Sequence, residues 1–152
     1  NLTIKKTYRA LVHGRMIPQE GRIDVPVGRL PWNRERFGVV PEGKPSQTAY
    51  TVLSIYEKTI STGHICIRYV EFRPETGRTH QIRVHAQYLG HPLVADERYA
   101  GRKQFRADMT WASRIMLHAY SIRFIHPATG KAHTITAPIP EDFARTLAFL
   151  SS

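Results

Sequence analysis

Between Arg78 and Gln87 the chain carries Arg78, His80, Gln81, Arg83, His85 and Gln87, yet no carboxylate lies between Glu75 and Asp96. A solvated helix mixes both signs of charge, whereas a run of cations and amides without acids is suited to meeting an anion. A guanidinium stays protonated and presents a flat fork of donors that matches a carboxylate or a phosphate. The stretch from Thr79 to Leu89 reads as a helix, with Thr79 as its N-cap and Gly90 as the residue that stops it. At about 100° per residue, Ile82, Ala86 and Leu89 gather on one side, and Val84 and Tyr88 on nearly the opposite one. A helix with two apolar faces packs between two layers. Thr79, His80, Arg83 and Gln87 fill one wedge between those faces, and Gln81 and His85 fill the other. Arg83 therefore leaves the helix in a partly buried setting, where it needs a partner. That partner is either a carboxylate elsewhere, in a structural ion pair, or a catalytic carboxylate or substrate phosphate, in an active site.

The histidines do not form a metal set on this helix. His80, His85 and His91 are spaced by five and six residues, and five residues is about 140° of rotation. A zinc helix has His at i and i+4 with a Glu between them as base. No metal site is expected. A nuclease or hydrolase reading is weak as well, because no carboxylate pair is apparent.

Across the 152 residues, 22 Lys and Arg stand against 12 Asp and Glu, a formal net charge of +10. Such an excess either keeps a soluble protein from associating or attracts a polyanion, above all nucleic acid. Basic residues interleaved with Tyr, Trp and Phe in several loops favour nucleic acid. A 41% hydrophobic composition supports one globular domain over residues 1–152. No apolar run is long enough to span a bilayer, and no long basic amphipathic helix points to a membrane surface. The single Cys66 excludes an internal disulfide and fits a reducing, cytoplasmic compartment. Between Ile65 and Ile67 it reads as a small buried side chain on a strand. NLTIKK has no signal-peptide core and no initiator Met, as in a processed or trimmed chain, and Asn1-Leu2-Thr3 fits a glycosylation sequon of the kind that chance supplies.

The elements that must position the basic helix are mostly strands. Lys6 to Val12 alternates, with Tyr8, Ala10 and Val12 on one side. Arg22 to Val27 is a short strand that Pro26 confines to an edge. Gly28 to Ser46 is a long basic loop or loose hairpin, rich in Pro and Gly. Thr48 to Tyr56 and His64 to Phe72 pair through Ser61-Thr62-Gly63. A loop runs from His91 to about Ala112. Strands follow at Arg114 to Ile125 and His133 to Ala137, and a closing helix at Pro140 to Leu150 has Phe143, Leu147 and Leu150 on one stripe. The expected fold is α+β, a mixed and mostly antiparallel sheet with a packed central helix and a C-terminal helix.

ETGRTHQIRVH, Glu75 to His85, followed by LGHPLVADERYAG, Leu89 to Gly101, closely resembles the signature of the RluA-type pseudouridine synthases. KKTYRALVHG, Lys5 to Gly14, looks like that family's strand carrying the active-site Tyr. GRIDVPVGR and EGKPSQTAYTVL resemble its next segment, a basic loop followed by a strand, and Leu117 to Phe143 resembles its C-terminal strands and closing helix. The resemblance covers nearly the whole chain in the family's order. It implies isomerisation of specific uridines in ribosomal or transfer RNA to pseudouridine, without metal or organic cofactor. It also implies a catalytic Asp, a Tyr that stacks on the base, and a basic residue paired with the Asp. Tyr8 matches the Tyr and Arg83 the basic residue; without the resemblance Tyr8 reads as a core aromatic. Arg29, Arg34, Arg36 and Lys44 would grip RNA phosphates, with Trp32 and Phe37 as stacking surfaces. His80 and Gln81 would serve the cleft or its surroundings, and Arg78 would support the loop or touch RNA.

The family's Asp lies in a segment like R-L-D-x-x-T-S-G before the Tyr strand, and none of Asp24, Asp96, Asp108 and Asp142 has that context. Asp96 belongs to a segment resembling the family's G-D-x-x-Y and is expected to be structural. The 152 residues are thus expected to be the C-terminal part of a synthase catalytic domain, inactive without its missing N-terminal part, with an incomplete sheet and exposed apolar surface where that part docks. The alternative is a non-catalytic RNA-binding protein on the same scaffold. The enzyme reading needs Arg83 to face inward beside Tyr8 rather than be neutralised elsewhere.

Overall fold

Strand β1 (Lys5–His13) alternates as its sequence dictates: Tyr8, Ala10 and Val12 face one core and Leu11 the opposite one. The computed structural model describes residues 4–152, so the Asn1-Leu2-Thr3 sequon lies outside the described residues. Strands β2 (Glu20–Asp24), β5 (Gln47–Ile60), β6 (Gly63–Pro74), β7 (Leu117–Ile125) and β8 (Ala132–Thr136) complete a six-stranded sheet in the order β2-β5-β6-β1-β7-β8. All of its described pairings are antiparallel. As its proline suggested, β2 is an edge strand, but it ends at Asp24; Val27 starts the next element. The basic segment is a hairpin, β3 (Val27–Leu30) against β4 (Asn33–Val39), forming a separate two-stranded sheet.

Helix α1 (Gln81–Tyr88) lies between the large sheet and this hairpin. Ile82 and Ala86 pack on Ala10, Val12, Val70 and Phe72, while Val84 packs on Val27 and Tyr99. The two apolar faces of the wheel thus meet two layers, except that Tyr88 is exposed at the helix end. The N-cap is His80 rather than Thr79; its backbone is left-handed (φ 55°) and its side chain does not cap. The start is fixed from inside the helix instead, because Gln81 Oε1 accepts the Arg78 amide at 3.0 Å and the Thr76 hydroxyl at 2.8 Å.

The opposite face of the sheet carries a second core, in which Leu11, Ile67 and Tyr69 meet Phe143 and Leu150 of α3 (Glu141–Ser151). A short helix α2 (Arg102–Asp108) interrupts the segment expected to be a loop. It has one turn too few to show an apolar period, and Asp108 is its only buried residue. Cys66 is half-buried rather than buried, beside the Arg68 guanidinium at 3.3 Å.

The pairing of β5 with β6 slips by one residue between Val52 and Ser54. Before the slip Tyr50 and Val52 face the α1 core; after it Tyr56 faces the α3 core. One strand serves both cores because Leu53 is extra. Beyond the reach of α1, the sheet continues over β7 and β8; Ile135 on β8 is exposed, as is Ile4 just before β1. Among the described residues no helix is long and apolar enough to cross a membrane.

Candidate active site

Tyr8 of β1 and Arg83 of α1 line one open cavity of about 660 Å³. Its apolar wall is Ile4, Ile82 and Leu117, and Lys6 and Arg78 add positive charge. Lys6 is two residues before Tyr8 on a strand and so shares its face. Glu75 is the acid in the lining, and Arg22 already neutralises it through contacts of 2.7 and 3.1 Å. The Tyr8 hydroxyl makes no hydrogen bond among the described residues, and this leaves the ring and its phenol available to a ligand.

Arg83 is not an unpaired cation. Its Nε donates to Asp96 Oδ2 at 2.9 Å and its Nη2 to Oδ1 at 2.8 Å, and Asp96 is fully buried. The structural ion pair that the sequence left open is therefore present. Burial works against the charged guanidinium, but the hydrogen bond and charge of Asp96 outweigh it and hold Arg83 above its ordinary range. The Tyr99 ring lies 4.9 Å from the guanidinium carbon. Nη1 makes no hydrogen bond among the described residues, so the group is held on one edge while lining the Tyr8 cavity. Asp96 has the structural task expected of it, and it also accepts the Tyr99 amide at 3.2 Å.

The other residues divide into two groups. Gln81 is buried and fully engaged, its Nε2 donating to Gln47 O and Thr48 Oγ1, both at 2.9 Å. With Oε1 also occupied, it serves the cavity by holding its wall rather than by offering a free group to RNA. His80 bonds Tyr99 through Nδ1 at 2.8 Å and has its pKa lowered, first by burial and then by the charges of Arg83 and Arg98. Arg78 supports the loop: Nε and Nη2 both donate to Pro45 O, at 3.1 and 3.0 Å. Arg36 is tied to Arg98 O and lies against Tyr99, and Phe37 packs beneath Arg29 and edge-on to His80. Neither is the free phosphate or base contact expected of it. Arg29, Arg34, Lys44 and Arg78 do converge, on a second cavity of about 690 Å³ with Glu42 as its acid. This cleft meets the Tyr8 cavity at Gly77 and Arg78. Trp32 at the hairpin tip is 79% exposed.

A model of the RNA pseudouridylate synthase family matches residues 1–88. The chain belongs to this family. An uncharacterised RNA pseudouridine synthase of Chloroflexus aurantiacus is 42% identical over 139 residues, which are 91% of this chain and 40% of that protein. Ribosomal large subunit pseudouridine synthase D of Neisseria meningitidis serogroup B is 38% identical over 155 residues, 97% of this chain and 39% of that protein. The structure of human RNA pseudouridylate synthase domain containing 1 superposes with a TM-score of 0.75 at 31% identity, over 91% of this chain and 56% of that one. The chain thus spans roughly two fifths of the length of these two sequence relatives.

In this chain the cavity wall depends on a buried relay that the sequence did not disclose. His85 is fully buried, with Nε2 3.0 Å from Val25 O and Nδ1 2.8 Å from Thr48 Oγ1. A carbonyl only accepts, so Nε2 carries the proton and Nδ1 accepts from Thr48. Burial lowers the His85 pKa, as it does that of His80. Both groups bind a proton more readily unfolded. Stability is therefore full above the unfolded value, about 6.5, and falls as pH drops below it. Urea unfolding between pH 7.5 and 5.5 should show a loss of at most about 1.4 kcal/mol per pH unit for each proton taken up. The slope should shrink in His85→Gln, and an unchanged slope removes His85 from the effect.

Proposed function

We propose that the protein is an RNA pseudouridine synthase whose base pocket is the Tyr8–Arg83 cavity, completed by a catalytic aspartate from a segment outside these 152 residues. The observation that carries this reading is that one cavity brings together an available aromatic ring, an apolar wall and a guanidinium with a free edge. A volume of this order suits a nucleoside-sized ligand. A uridine flipped from its stack would rest on Tyr8. The aspartate would act on the ribose, as nucleophile at C1′ or as base at C2′, with the Arg83 Nη1 edge favouring its ionised form and fixing its direction. The N1–C1′ bond breaks, the uracil turns, and C5 joins C1′. C5 loses one proton and N1 gains one, so substrate and product are isomers and no co-reactant is consumed.

The adjoining basic cleft would hold the RNA backbone, with Trp32 as a stacking surface. The substrate class is ribosomal or transfer RNA, and a single cysteine with such a substrate fits the cytoplasm. The exposed Ile4 and Ile135 beside the pocket support a docking place there for the segment that supplies the aspartate.

One observation favours a second reading, a non-catalytic RNA-binding protein: Asp96 already satisfies Arg83 without any reacting acid. Tritium release from C5-labelled uridine in RNA separates the two. The full-length protein is expected to release tritium, and residues 1–152 alone are expected not to. RNA binding without release by the full-length protein would establish the second reading.

A further inference from the structure

We propose that His80 reads the flipped base, resting on the active-site reading above: its Nε2–H donates to a carbonyl oxygen of uracil in the Tyr8–Arg83 cavity. His80 lines that cavity, and its ring is pinned there. Nδ1 lies 2.8 Å from the Tyr99 hydroxyl, and the rings of Phe37 and Tyr99 each stand edge-on to it at 5.6 Å. Nε2 makes no hydrogen bond among the described residues, so it is the polar atom left for the cavity. The backbone is constrained as well. At φ 55° it is left-handed, a conformation that a non-glycine residue keeps when its surroundings impose it, and such residues gather at functional sites.

The surrounding network fixes which nitrogen carries the proton. Tyr99 is 3% exposed, and its hydroxyl has no other acceptor among the described residues, so its proton goes to His80 Nδ1. The Phe37 backbone amide approaches the same phenol oxygen and can only donate. Nδ1 therefore accepts, and Nε2 bears the hydrogen. Burial, then the charges of Arg83 and Arg98, hold the ring below its ordinary pKa of 6.5 against the opposing charge of Asp96, so the imidazole is neutral at pH 7. A neutral donor suits the carbonyl of an uncharged base, whereas the cations Lys6 and Arg83 in the same lining suit an anion.

One such donor can serve the base through the whole reaction. A half-turn of uracil about its N3–C6 axis exchanges N1 with C5, and with them the C2 and C4 carbonyls. A carbonyl oxygen thus stands before Nε2–H in substrate and product alike. Cytosine fails at one end or the other, because its 4-amino group meets the donor either before the turn or after it. A site that pairs a buried polar group with its substrate rejects an analogue that cannot return the bond.

The test uses the full-length protein and transcripts of ribosomal and transfer RNA made with uridine, 4-thiouridine or 2-thiouridine, with the isomer read by chromatography of the nucleosides. Sulfur accepts hydrogen bonds weakly. His80→Asn removes the Nε2 donor, keeps an acceptor near the place of Nδ1 for Tyr99, and tolerates a left-handed backbone. On uridine its kcat/KM should fall about tenfold. Wild type should lose about tenfold on one of the two thio transcripts, and His80→Asn should lose no more than about twofold on that same transcript. Equal losses in the two proteins overturn the proposal, since the donor then meets a phosphate or nothing. If His80→Asn does not fold, wild type decides: equal turnover of all three RNAs overturns the proposal, and a loss of about tenfold on one thio transcript sustains it. Wild-type protein that makes no isomer from any unmodified RNA sinks the active-site reading and this inference with it, whereas turnover with equal losses removes only the role of His80.

Discussion

Arg83→Ala in the full-length protein is expected to lower tritium release from C5-labelled uridine by about 10³-fold, the scale of losing an electrostatic partner at a reacting centre. The structure adds a second expectation that spacing alone did not provide. Asp96 is fully buried against Arg83, so truncation strands a carboxylate away from water and should destabilise the protein by about 3–5 kcal/mol. Turnover must therefore be measured on protein shown to be folded. Arg83→Lys divides the two effects. An ammonium retains the charge and should recover much of the stability, but it cannot span both oxygens of Asp96 and still present an edge to the cavity. Turnover should remain low. Near-normal release in a folded Arg83→Ala would remove the residue from catalysis.

The double variant Arg34→Glu/Lys44→Glu should weaken RNA binding at low salt by about tenfold or more and reduce the slope of log affinity against log salt by about 1.4, as two lost phosphate contacts on a single strand imply. These two positions are chosen because both are exposed and both line the basic cleft. Arg36 is a poorer site for charge reversal, since it ties the hairpin to Arg98 O and lies against Tyr99. Reversal there would disturb the anchor and the binding together. An unchanged slope in the double variant would mean that the hairpin does not meet phosphate.

The strands and the central helix were legible because their periods are unmixed. Tyr8, Ala10 and Val12 do share a face, and Ile82 and Ala86 oppose Val84 across α1. The start of α1 was not legible, because a left-handed His80 and a buried Gln81 amide replace the expected threonine cap. Helix α2 was missed because it carries no apolar stripe. The partly buried setting of Arg83 was readable from the wheel, but the identity of its partner was not. Asp96 is thirteen residues away, and only the turn at Ala95 brings the two together. The dispersal of the basic hairpin residues between cleft and anchor was equally hidden, since a charge carries no period that tells solvent from a backbone carbonyl.

The slip at Leu53 sets where this chain tolerates changes in length. Deleting that single residue would leave Val52 and Ser54 adjacent opposite Val70 and Tyr69, a regular pairing that keeps Tyr56 on the α3 core and Lys58 at Ser152, which it reaches at 2.7 Å; deleting a residue between Ser54 and Tyr56 instead would turn Tyr56 away from that core. Insertions at the Ser61–Thr62 turn would also leave both cores untouched, so natural length variants of this hairpin should be confined to its tip and to the bulge at Leu53.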